Sequence, residues 1–352
     1  MKLEKNNKNK VLLGLSGGVD STAAALLLKE KGFEVTGYYF DVMGDNINGR
    51  EETEKLAFQL GIKLICEDVS EEFEELVIND FCKEYMSGRT PNPCVICNPG
   101  IKFKKLLEKA DDIGAYYIAT GHYCRISFDT EENKYYLRKA ANEKKDQSYM
   151  LYRLGQDVLS RLIFPLGDFD DKSDIRELAK EKNMSNAEKK DSQEICFIEP
   201  PKNYVDYIKE KGFSSPEGNF VDKDGKIIGS HRGIVNYTVG QRKGLGVALG
   251  KPAFIVKIDK EKNDIVLGDN VDLFTIKVLC ENVVFPACNG ERYHNTEVLA
   301  KVRYSAKAAK AVLSVDGNSA SVEFEMPQRA PAPGQSIVFY DGDRVVGGGF
   351  IK

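Results

Sequence analysis

The stretch that most constrains this chain is a glycine turn at residues 16–21, Ser-Gly-Gly-Val-Asp-Ser. The apolar run before it, 11–15, predicts a buried parallel strand, and the leucine-rich run after it, 22–28, predicts a helix that ends near Gly32. Adjacent glycines let the backbone approach a ligand closely, and the start of a helix offers unpaired N–H groups to an anion. The stretch therefore predicts a phosphate cradle.

This turn differs from the two commonest nucleotide-binding turns. It lacks the Gly-Lys-Ser/Thr ending of a Walker loop and the spacing of a dinucleotide fingerprint, so neither a kinase-like P-loop nor an NAD site is indicated. It resembles instead the PP-loop of enzymes that cleave ATP to AMP and pyrophosphate while they adenylate an oxygen. The alternative is a glycine turn that serves only chain geometry.

Strands and helices alternate in the first half of the chain. The patterns predict strands at 34–40, 62–66 and 115–119, and helices at 51–60, 70–86, 102–113, 157–163 and 174–183. Such alternation predicts an α/β domain with a parallel sheet, whose ligands gather at the carboxyl ends of the strands. The PP-loop, Phe40 and Thr120-Gly121-His122 all follow such ends, and we expect them to share one crevice.

The pattern changes beyond about residue 205, where short alternating stretches and the hairpin signal Asp224-Gly225 replace the helices. Paired strands are predicted at 253–258 and 265–267, and further strands at 297–304, 311–315, 320–324 and 336–340. We predict a PP-loop domain at 1–204, a small central β domain at 205–270 and a C-terminal β-barrel at 271–352.

Composition sets limits on function. The chain of 352 residues is 42% hydrophobic and 30% charged, which is ordinary for a globular protein, and its net charge is -4. This balance argues against a bulk nucleic-acid binder, so any RNA must bind a local surface. No signal peptide or membrane-spanning stretch is evident, and we expect a cytoplasmic location without membrane association.

Eight cysteines at irregular spacing predict free thiols rather than a disulfide scaffold. Pro91 and Pro93 precede Cys94 and Cys97, which predicts that this CxxC pair lies on a stiff extended loop. Three explanations stay open for the pair: part of a zinc site, a redox pair, or sulfur transfer together with Cys196. The other five are interpreted as packed thiols, namely Cys66, Cys82, Cys124, Cys280 and Cys288.

Several further motifs resemble, in their order, those of the bacterial tRNA-specific 2-thiouridylase family, and they cover nearly the whole chain. They are Gly-Arg-Thr-Pro-Asn-Pro at 88–93, Cys97-Asn98, Ile-Lys-Phe at 101–103, Ala-Thr-Gly-His-Tyr at 119–123, Lys-Asp-Gln-Ser-Tyr at 145–149, Asp191-Ser192, Ile-Cys-Phe-Ile at 195–198, Gly-Gln-Arg-Lys-Gly-Leu-Gly at 240–246 and Pro-Gly-Gln-Ser at 333–336. The resemblance implies ATP-dependent 2-thiolation of the wobble uridine in the tRNAs for Lys, Glu and Gln. It also implies sulfur delivery as a persulfide by a relay from a cysteine desulfurase, and Mg²⁺ to neutralise the triphosphate.

The same resemblance implies roles for individual residues. Cys196 would carry the persulfide, and Cys97 would be the nucleophile that forms a disulfide with it. ATP would be bound by Gly14, Leu15, Ser16, Gly17, Gly18, Val19, Asp20, Ser21, Phe40 and Gly121. The target base would lie along Asn92, Pro93 and Cys94, and tRNA would also contact His122, Lys145, Asp146, Gln147, Arg303, Tyr304 and Gln335.

The chain departs from the family pattern at Cys94, where many members carry an aspartate that is the proposed proton acceptor, and at Pro99-Gly100. A thiol acts as a base only when it is ionised. The third thiol also allows a different mechanism, in which Cys94, Cys97 and Cys196 hold an iron–sulfur cluster. Two further functions stay open: a different PP-loop enzyme, such as an amidotransferase, and a non-enzymatic tRNA-binding protein with a relic nucleotide site.

Overall fold

The computed structural model describes residues 7–44, 47–170, 172–189, 195–247 and 250–352. The chain forms two compact units. The first comprises Met1–Leu76, Cys94–Phe197 and Asp343–Val346, and the second comprises Val77–Pro93, Ile198–Gly342 and Gly347–Lys352. Among the described residues, no helix is both long and apolar enough to cross a bilayer.

Seven of the nine described helices fall on predicted helical stretches, whereas those at 93–97 and 204–210 were not predicted. They are α1 Val19–Glu30, α2 Ile47–Leu60, α3 Ser70–Phe73, α4 Asn79–Met86, α5 Pro93–Cys97, α6 Phe103–Asp112, α7 Gln156–Leu159, α8 Lys172–Glu181 and α9 Tyr204–Glu210. Two π-helical turns, Glu74–Ile78 and Asn98–Lys102, lie between α3 and α4 and between α5 and α6. Short 3-10 turns cover Ser148–Met150, Ile234–Asn236, Asn270–Leu273 and Gly290–Tyr293.

A five-stranded parallel sheet forms the centre of the first unit, in the order β3-β2-β1-β4-β7. Its strands are β1 Asn7–Gly14, β2 Glu34–Asp41, β3 Lys63–Asp68, β4 Ala115–Ala119 and β7 Leu162–Ile163. Apolar residues of β1 and of helix α1, such as Val11, Leu13, Ala24 and Leu28, are buried together in one core. A central parallel strand is covered on both faces, which explains why β1 is a nearly continuous apolar run. The predicted parallel sheet is confirmed.

A hairpin of β5 Cys124–Asp129 and β6 Lys134–Lys139 completes the strands of the first unit. The Arg138 guanidinium pairs with the Asp343 carboxylate, with Nη2 and Oδ2 2.7 Å apart. Arg344 pairs with Arg138 in the antiparallel sheet register. The Arg138–Asp343 ion pair and this strand pairing together hold the segment Asp343–Val346 against the hairpin.

One predicted helix was wrong in its second half. The apolar residues at 157–163 were predicted as a single helix, but α7 ends at Leu159. Leu162 and Ile163 instead form β7 and pair with Ile118 and Ala119. Pairing with an exposed sheet edge outweighs helix propensity for a short apolar run, which periodicity alone cannot assign.

The second unit is predominantly β, as predicted. Its smaller sheet contains β8 Gly218–Val221, β9 Ile227–His231, β10 Phe254–Asp259 and β11 Asp264–Gly268, in the order β10-β11-β8-β9 around a core that includes Phe220 and Ile265. A six-stranded antiparallel barrel follows, with β12 Phe274–Val284, β13 Thr296–Lys301, β14 Ala309–Asp316, β15 Ser319–Arg329, β16 Ser336–Asp341 and β17 Arg344–Ile351. Pairing of Cys280 with Ile351 closes it between β12 and β17. The predicted C-terminal barrel is confirmed.

Candidate active site

The sheet of the first unit has a topological switch point between β1 and β4. From β1 the chain passes to β2 and β3 on one side, whereas β4 pairs with the other side of β1. In an open parallel sheet this arrangement leaves a crevice outside the carboxyl ends of the two strands. The glycine turn follows β1 there, and Thr120-Gly121-His122 follows β4.

Hydrogen bonds within the turn hold it in shape. Gly17 has φ +76°, a conformation that favours glycine. The hydroxyls of Ser21 and Thr22 both donate to the Gly18 carbonyl oxygen, at 3.0 and 3.2 Å. The Ser16 N–H donates to Ser21 Oγ at 3.3 Å, while the Ser16 side chain is exposed. These contacts fix the backbone at the start of α1, where its N–H groups favour an anion.

The neighbouring strand ends lie against this turn. A Cβ at Gly121 would lie 2.8 Å from the carbonyl carbon of Asp20 and from the Ser21 nitrogen, so only glycine allows this approach. A Cβ at Gly14 would lie 3.6 Å from the Phe40 ring. Tyr123 donates its hydroxyl to Asp20 Oδ1 at 2.9 Å. Residues 14–21, Phe40 and Gly121, which the sequence predicts as ATP contacts, are therefore gathered at one edge of the sheet.

The CxxC pair lies in a helix, and the predicted extended loop was wrong. Pro93 is the first residue of α5, a position at which proline is favoured because its missing N–H has no helical partner anyway. The Cys94 side chain is exposed and that of Cys97 is half-buried. Asn98, which is 2% exposed, donates its side-chain amide to the Met150 carbonyl oxygen at 3.0 Å and so anchors the π-helical turn of which it is the first residue.

Cys196 reaches the surface beside an aromatic anchor. The ring of its neighbour Phe197 is buried and packs edge-on against Phe73, with centroids 5.6 Å apart. Cys196 itself is exposed. Surrounding protein atoms nevertheless raise its pKa to about 12, and the thiolates of Cys94 and Cys97 contribute to that rise. The three thiols are thus within electrostatic range of one another.

Lys102 is the cation that acts on these thiols. Burial raises the pKa of Cys94 and of Cys97, whereas the Lys102 ammonium lowers both pKa values and that of Cys196. A cationic neighbour favours the ionised, nucleophilic form of a thiol. Within the ranges that the structure describes, no three His, Cys, Asp or Glu side chains are gathered as ligands for a metal. The thiols therefore do not fit a preformed iron–sulfur site.

The predicted tRNA contacts of the first unit have structural roles as well. Burial lowers the pKa of His122 to about 3, so this imidazole is neutral at physiological pH. Its Nδ1 lies 2.7 Å from Thr120 Oγ1. The Asp146 carboxylate is 5% exposed and accepts hydrogen bonds from the Ala140 N–H and from Ser148. Any RNA contact at Asp146 must therefore use the backbone.

The two neighbours of Asp146 make different kinds of hydrogen bond within the protein, Gln147 through its side chain and Lys145 through its backbone. Gln147 accepts from the Tyr123 N–H at 3.0 Å through its side-chain oxygen. Lys145 is half-buried, and its N–H donates to the Asn142 carbonyl oxygen at 3.1 Å. The segment Lys145–Gln147 is thus a packed turn, in which the Lys145 ammonium is the group best suited to a phosphate.

The remaining predicted contacts belong to the second unit. Gln335 donates its side-chain amide to the Thr90 carbonyl oxygen at 2.8 Å, within the 88–93 turn that also contains Asn92 and Pro93. Arg303 donates to the Arg329 carbonyl oxygen at 2.9 Å. Tyr304 is 37% exposed, and the Lys301 ammonium lies 5.4 Å from its ring centroid. Gln335 thus shapes the turn that was predicted to face the base.

Three residues that contribute to the site were not predicted. Lys102 and Tyr123 stand inside motifs that the sequence singled out, but no side-chain role was assigned to them. Asn186 lies in a charged, irregular stretch without any motif, and its side chain contacts the glycine turn. Of the predicted motifs, Asp191-Ser192 lies outside the described residues.

Comparisons with known proteins agree along nearly the whole chain. Three family models match: a tRNA methyl transferase HUP domain at residues 9–200, a tRNA methyl transferase PRC-barrel domain at 205–269 and an aminomethyltransferase β-barrel domain at 279–351. The tRNA-specific 2-thiouridylase MnmA of Clostridium acetobutylicum is 45% identical, over 97% of this chain and 99% of its own length. Its namesakes from Syntrophomonas wolfei and Acetivibrio thermocellus are 46% and 43% identical, over 97% and 98% of this chain and 99% and 100% of their own lengths.

Proposed function

This chain belongs to the MnmA family of tRNA-specific 2-thiouridylases, and from that premise we propose how it replaces an oxygen of a tRNA uridine with sulfur. The enzyme uses ATP, as its HUP domain implies. The observation that carries the proposal is that one compact unit contains both the glycine turn after β1 and the three mutually interacting thiols. The first suits pyrophosphate and the second suits sulfur transfer.

The first step activates the base. The uracil O2 attacks the α-phosphorus of ATP, pyrophosphate leaves into the turn at 16–21, and the uridine is left adenylated. Backbone N–H groups at the start of α1 stabilise the charge on the leaving pyrophosphate. Mg²⁺ would share that task, since it is commonly held by one or two carboxylates together with substrate phosphates, and Asp20 is the candidate ligand.

The second step transfers sulfur. A persulfide on Cys196 attacks C2 of the adenylated uridine with its outer sulfur, and AMP leaves. Cys97 then attacks Cys196 Sγ, so that the Cys97–Cys196 disulfide forms and the 2-thiouridine is released. A dithiol reductant must supply two electrons to restore both thiols. The sulfur donor would be a relay protein or cysteine desulfurase, and the target would be the wobble uridine.

Cys94 has a restricted role in this scheme. Although the Cys94 residue is exposed overall, the protein atoms around its thiol desolvate the charged form and raise its pKa, so this thiol is a poor general base in its resting state. We assign it to the wall along the target base and place the proton acceptor elsewhere. Cys97 lies three residues further along the chain. Attack of the Cys94 thiolate on Cys97 Sγ of the Cys97–Cys196 disulfide would form a Cys94–Cys97 disulfide and release the Cys196 thiolate, and the reductant must outcompete this exchange.

The decisive experiment combines Cys196→Ser with a matched control. The variant should lose 2-thiouridine formation on tRNA, while nucleotide binding is kept because the turn at 16–21 is untouched. Cys288→Ser, in the turn after β12, is the control and should thiolate as the wild type does. Two of the family models that match this chain are described as tRNA methyl transferase domains. Mass spectrometry of the product nucleosides distinguishes incorporation of sulfur from transfer of a methyl group. Thiolation by Cys196→Ser would overturn the assignment.

A tRNA-binding protein with a relic nucleotide site is the remaining rival. The wild type should release pyrophosphate only when tRNA and ATP are both present, and no release would favour the relic.

We also propose domain boundaries at residues 204 and 270. We propose a cytoplasmic location as well, and the tRNA substrate supports that location.

A further inference from the structure

Asn186 is a buried side chain whose amide contacts the glycine turn and Thr22, the residue that follows it. The residue is 7% exposed. Its Nδ2 donates to the Gly17 carbonyl oxygen at 3.0 Å and to Thr22 Oγ1 at 2.9 Å. A carbonyl oxygen can only accept, so the amide nitrogen must be the atom that faces Gly17. One hydrogen of this amide is therefore committed to the turn and the other to Thr22.

These two bonds determine how the two glycine peptides are oriented. In a planar trans peptide the C=O and the following N–H point in opposite directions. Fixing the Gly17 carbonyl toward Asn186 therefore directs the Gly18 N–H to the other side of the turn. The second bond acts through Thr22, whose hydroxyl and N–H both donate to the Gly18 carbonyl oxygen, each at 3.2 Å. One side chain thus orients both peptides of a cradle whose donors are backbone groups.

The segment around Asn186 is seated firmly on the same region. Ala187 is buried in one cluster with Val19, the first residue of α1, and with Ala179 of α8. Ser185 donates its hydroxyl to Gln59 Oε1 at 3.0 Å, on helix α2. The position of the amide is therefore set by packing on both sides, as a positioning group requires.

The position of the Asn186 amide oxygen lowers the stability of the fold. Among the described residues Asn186 Oδ1 is buried without a hydrogen-bond partner. An unpaired buried acceptor costs about 1–3 kcal/mol, and an apolar side chain of similar size would avoid that cost. Stability alone therefore does not explain an asparagine here, whereas orientation of the turn does.

We infer that Asn186 is a positioning residue for the pyrophosphate-binding turn, which it holds in the orientation that receives the phosphates of ATP. The inference rests on the proposed function for the identity of the ligand. The residue contacts no reacting atom, and it acts through the Gly17 and Gly18 peptides.

The test measures binding of a non-hydrolysable ATP analogue by calorimetry. Asn186→Ala should weaken binding roughly tenfold, or about 1.4 kcal/mol, and should raise the KM for ATP while the KM for tRNA stays the same. Persulfide loading of Cys196 should also be unchanged. Ser185→Ala is the matched control, because its hydroxyl bonds Gln59 rather than the turn. The Ser185 N–H, which also donates to Gln59 Oε1 at 3.3 Å, is kept in this variant and holds the segment in place, so the variant should bind the analogue as the wild type does.

Asn186→Asp supplies a readout that a purely structural role would not change. The carboxylate has the same shape but cannot donate, so at neutral pH binding should be weaker than in Asn186→Ala. Protonation at about pH 5 and below restores one donor, and binding should partly recover.

The isosteric Asn186→Asp variant decides the matter if Asn186→Ala does not fold. Wild-type affinity in either variant, or equal weakening by Ser185→Ala, would overturn the inference. A wild type that binds the analogue but releases no pyrophosphate with tRNA would overturn only the proposed function.

Discussion

Lys102 shows how a single residue controls the chemistry of its neighbours. Its ammonium stabilises the thiolates of Cys94, Cys97 and Cys196 and so opposes the effect of burial on their pKa values. The π-helical turn Asn98–Lys102 brings Lys102 back toward Cys97. Binding and cleaving ATP does not require a cation beside the thiols. Sulfur transfer does, because the thiolate rather than the thiol is the nucleophile.

Replacing Lys102 with Met should make Cys97 react more slowly with iodoacetamide at neutral pH. Loss of the cation raises the pKa of the Cys97 thiol, so the same thiolate fraction is reached only at a higher pH, and the whole alkylation profile moves to higher pH. Peptide mass spectrometry across a pH series measures this directly. Lys104→Met, exposed on helix α6, is the control and should leave the profile in place. An unchanged profile in Lys102→Met would contradict the electrostatic role.

At the scale of elements, the glycine turn and its helix could be predicted because a local pattern determines them. The strand before the turn is apolar throughout, and the turn requires φ values such as the +76° of Gly17. Helix α5 could not be predicted in the same way. Pro91 and Pro93 indicate an extended chain, but Pro93 is also favoured as the first residue of a helix, and tertiary packing selects between the two.

Long-range contacts account for what the sequence left undetermined. The amide of Asn186 bonds Gly17 and Thr22, which lie 169 and 164 residues away in the chain. The Asp146 carboxylate has local partners, but its burial by the surrounding fold has no signature in the sequence. The same reason explains β7, which exists because Ile118 and Ala119 offer it a sheet edge. The residues predicted as ATP contacts lie together at one sheet edge, whereas the roles of individual side chains could be assigned only from the fold.

The contact between the end of β4 and the start of α1 gives a prediction at this scale. Gly121→Ala places a methyl group 2.8 Å from the backbone of Asp20 and Ser21, and backbone cannot yield as a flexible side chain can. We expect the free energy of unfolding to fall by about 1–3 kcal/mol and nucleotide affinity to fall with it, as measured by denaturant titration and calorimetry.

Gly32→Ala provides the control for that experiment. Gly32 lies just beyond the other end of α1 with φ +84°, and an added methyl group would meet only open space, so the substitution carries only backbone strain of about 1 kcal/mol. Its nucleotide affinity should match that of the wild type. Equal loss of affinity in both variants would show that general destabilisation, and not the approach of β4 to the turn, is responsible.

For the whole molecule, the net charge of -4 poses the question of how a tRNA is held. Attraction to a phosphate backbone rises with clustered cations and weakens steeply with salt. A chain without excess positive charge must combine a few local cations with contacts that do not depend on charge. Tyr304 and Lys301 of the barrel offer one of each: a 37% exposed aromatic ring and an ammonium 5.4 Å from the ring centroid.

These two residues should therefore affect tRNA binding in different ways. Tyr304→Ala removes a ring on which a base can stack, which is worth about 1–3 kcal/mol, and the loss should be the same at low and high salt. Lys301→Gln removes a phosphate partner, so it should reduce the slope of log K against log salt concentration by about 1. Phe58→Ala removes an 88% exposed ring from helix α2 and should change neither quantity. Filter binding across a salt series separates the outcomes, and a salt-dependent loss in Tyr304→Ala would contradict stacking as the role of the ring. The distinction matters for the whole enzyme, because binding that is partly independent of salt lets an acidic protein hold a polyanion without a large basic surface.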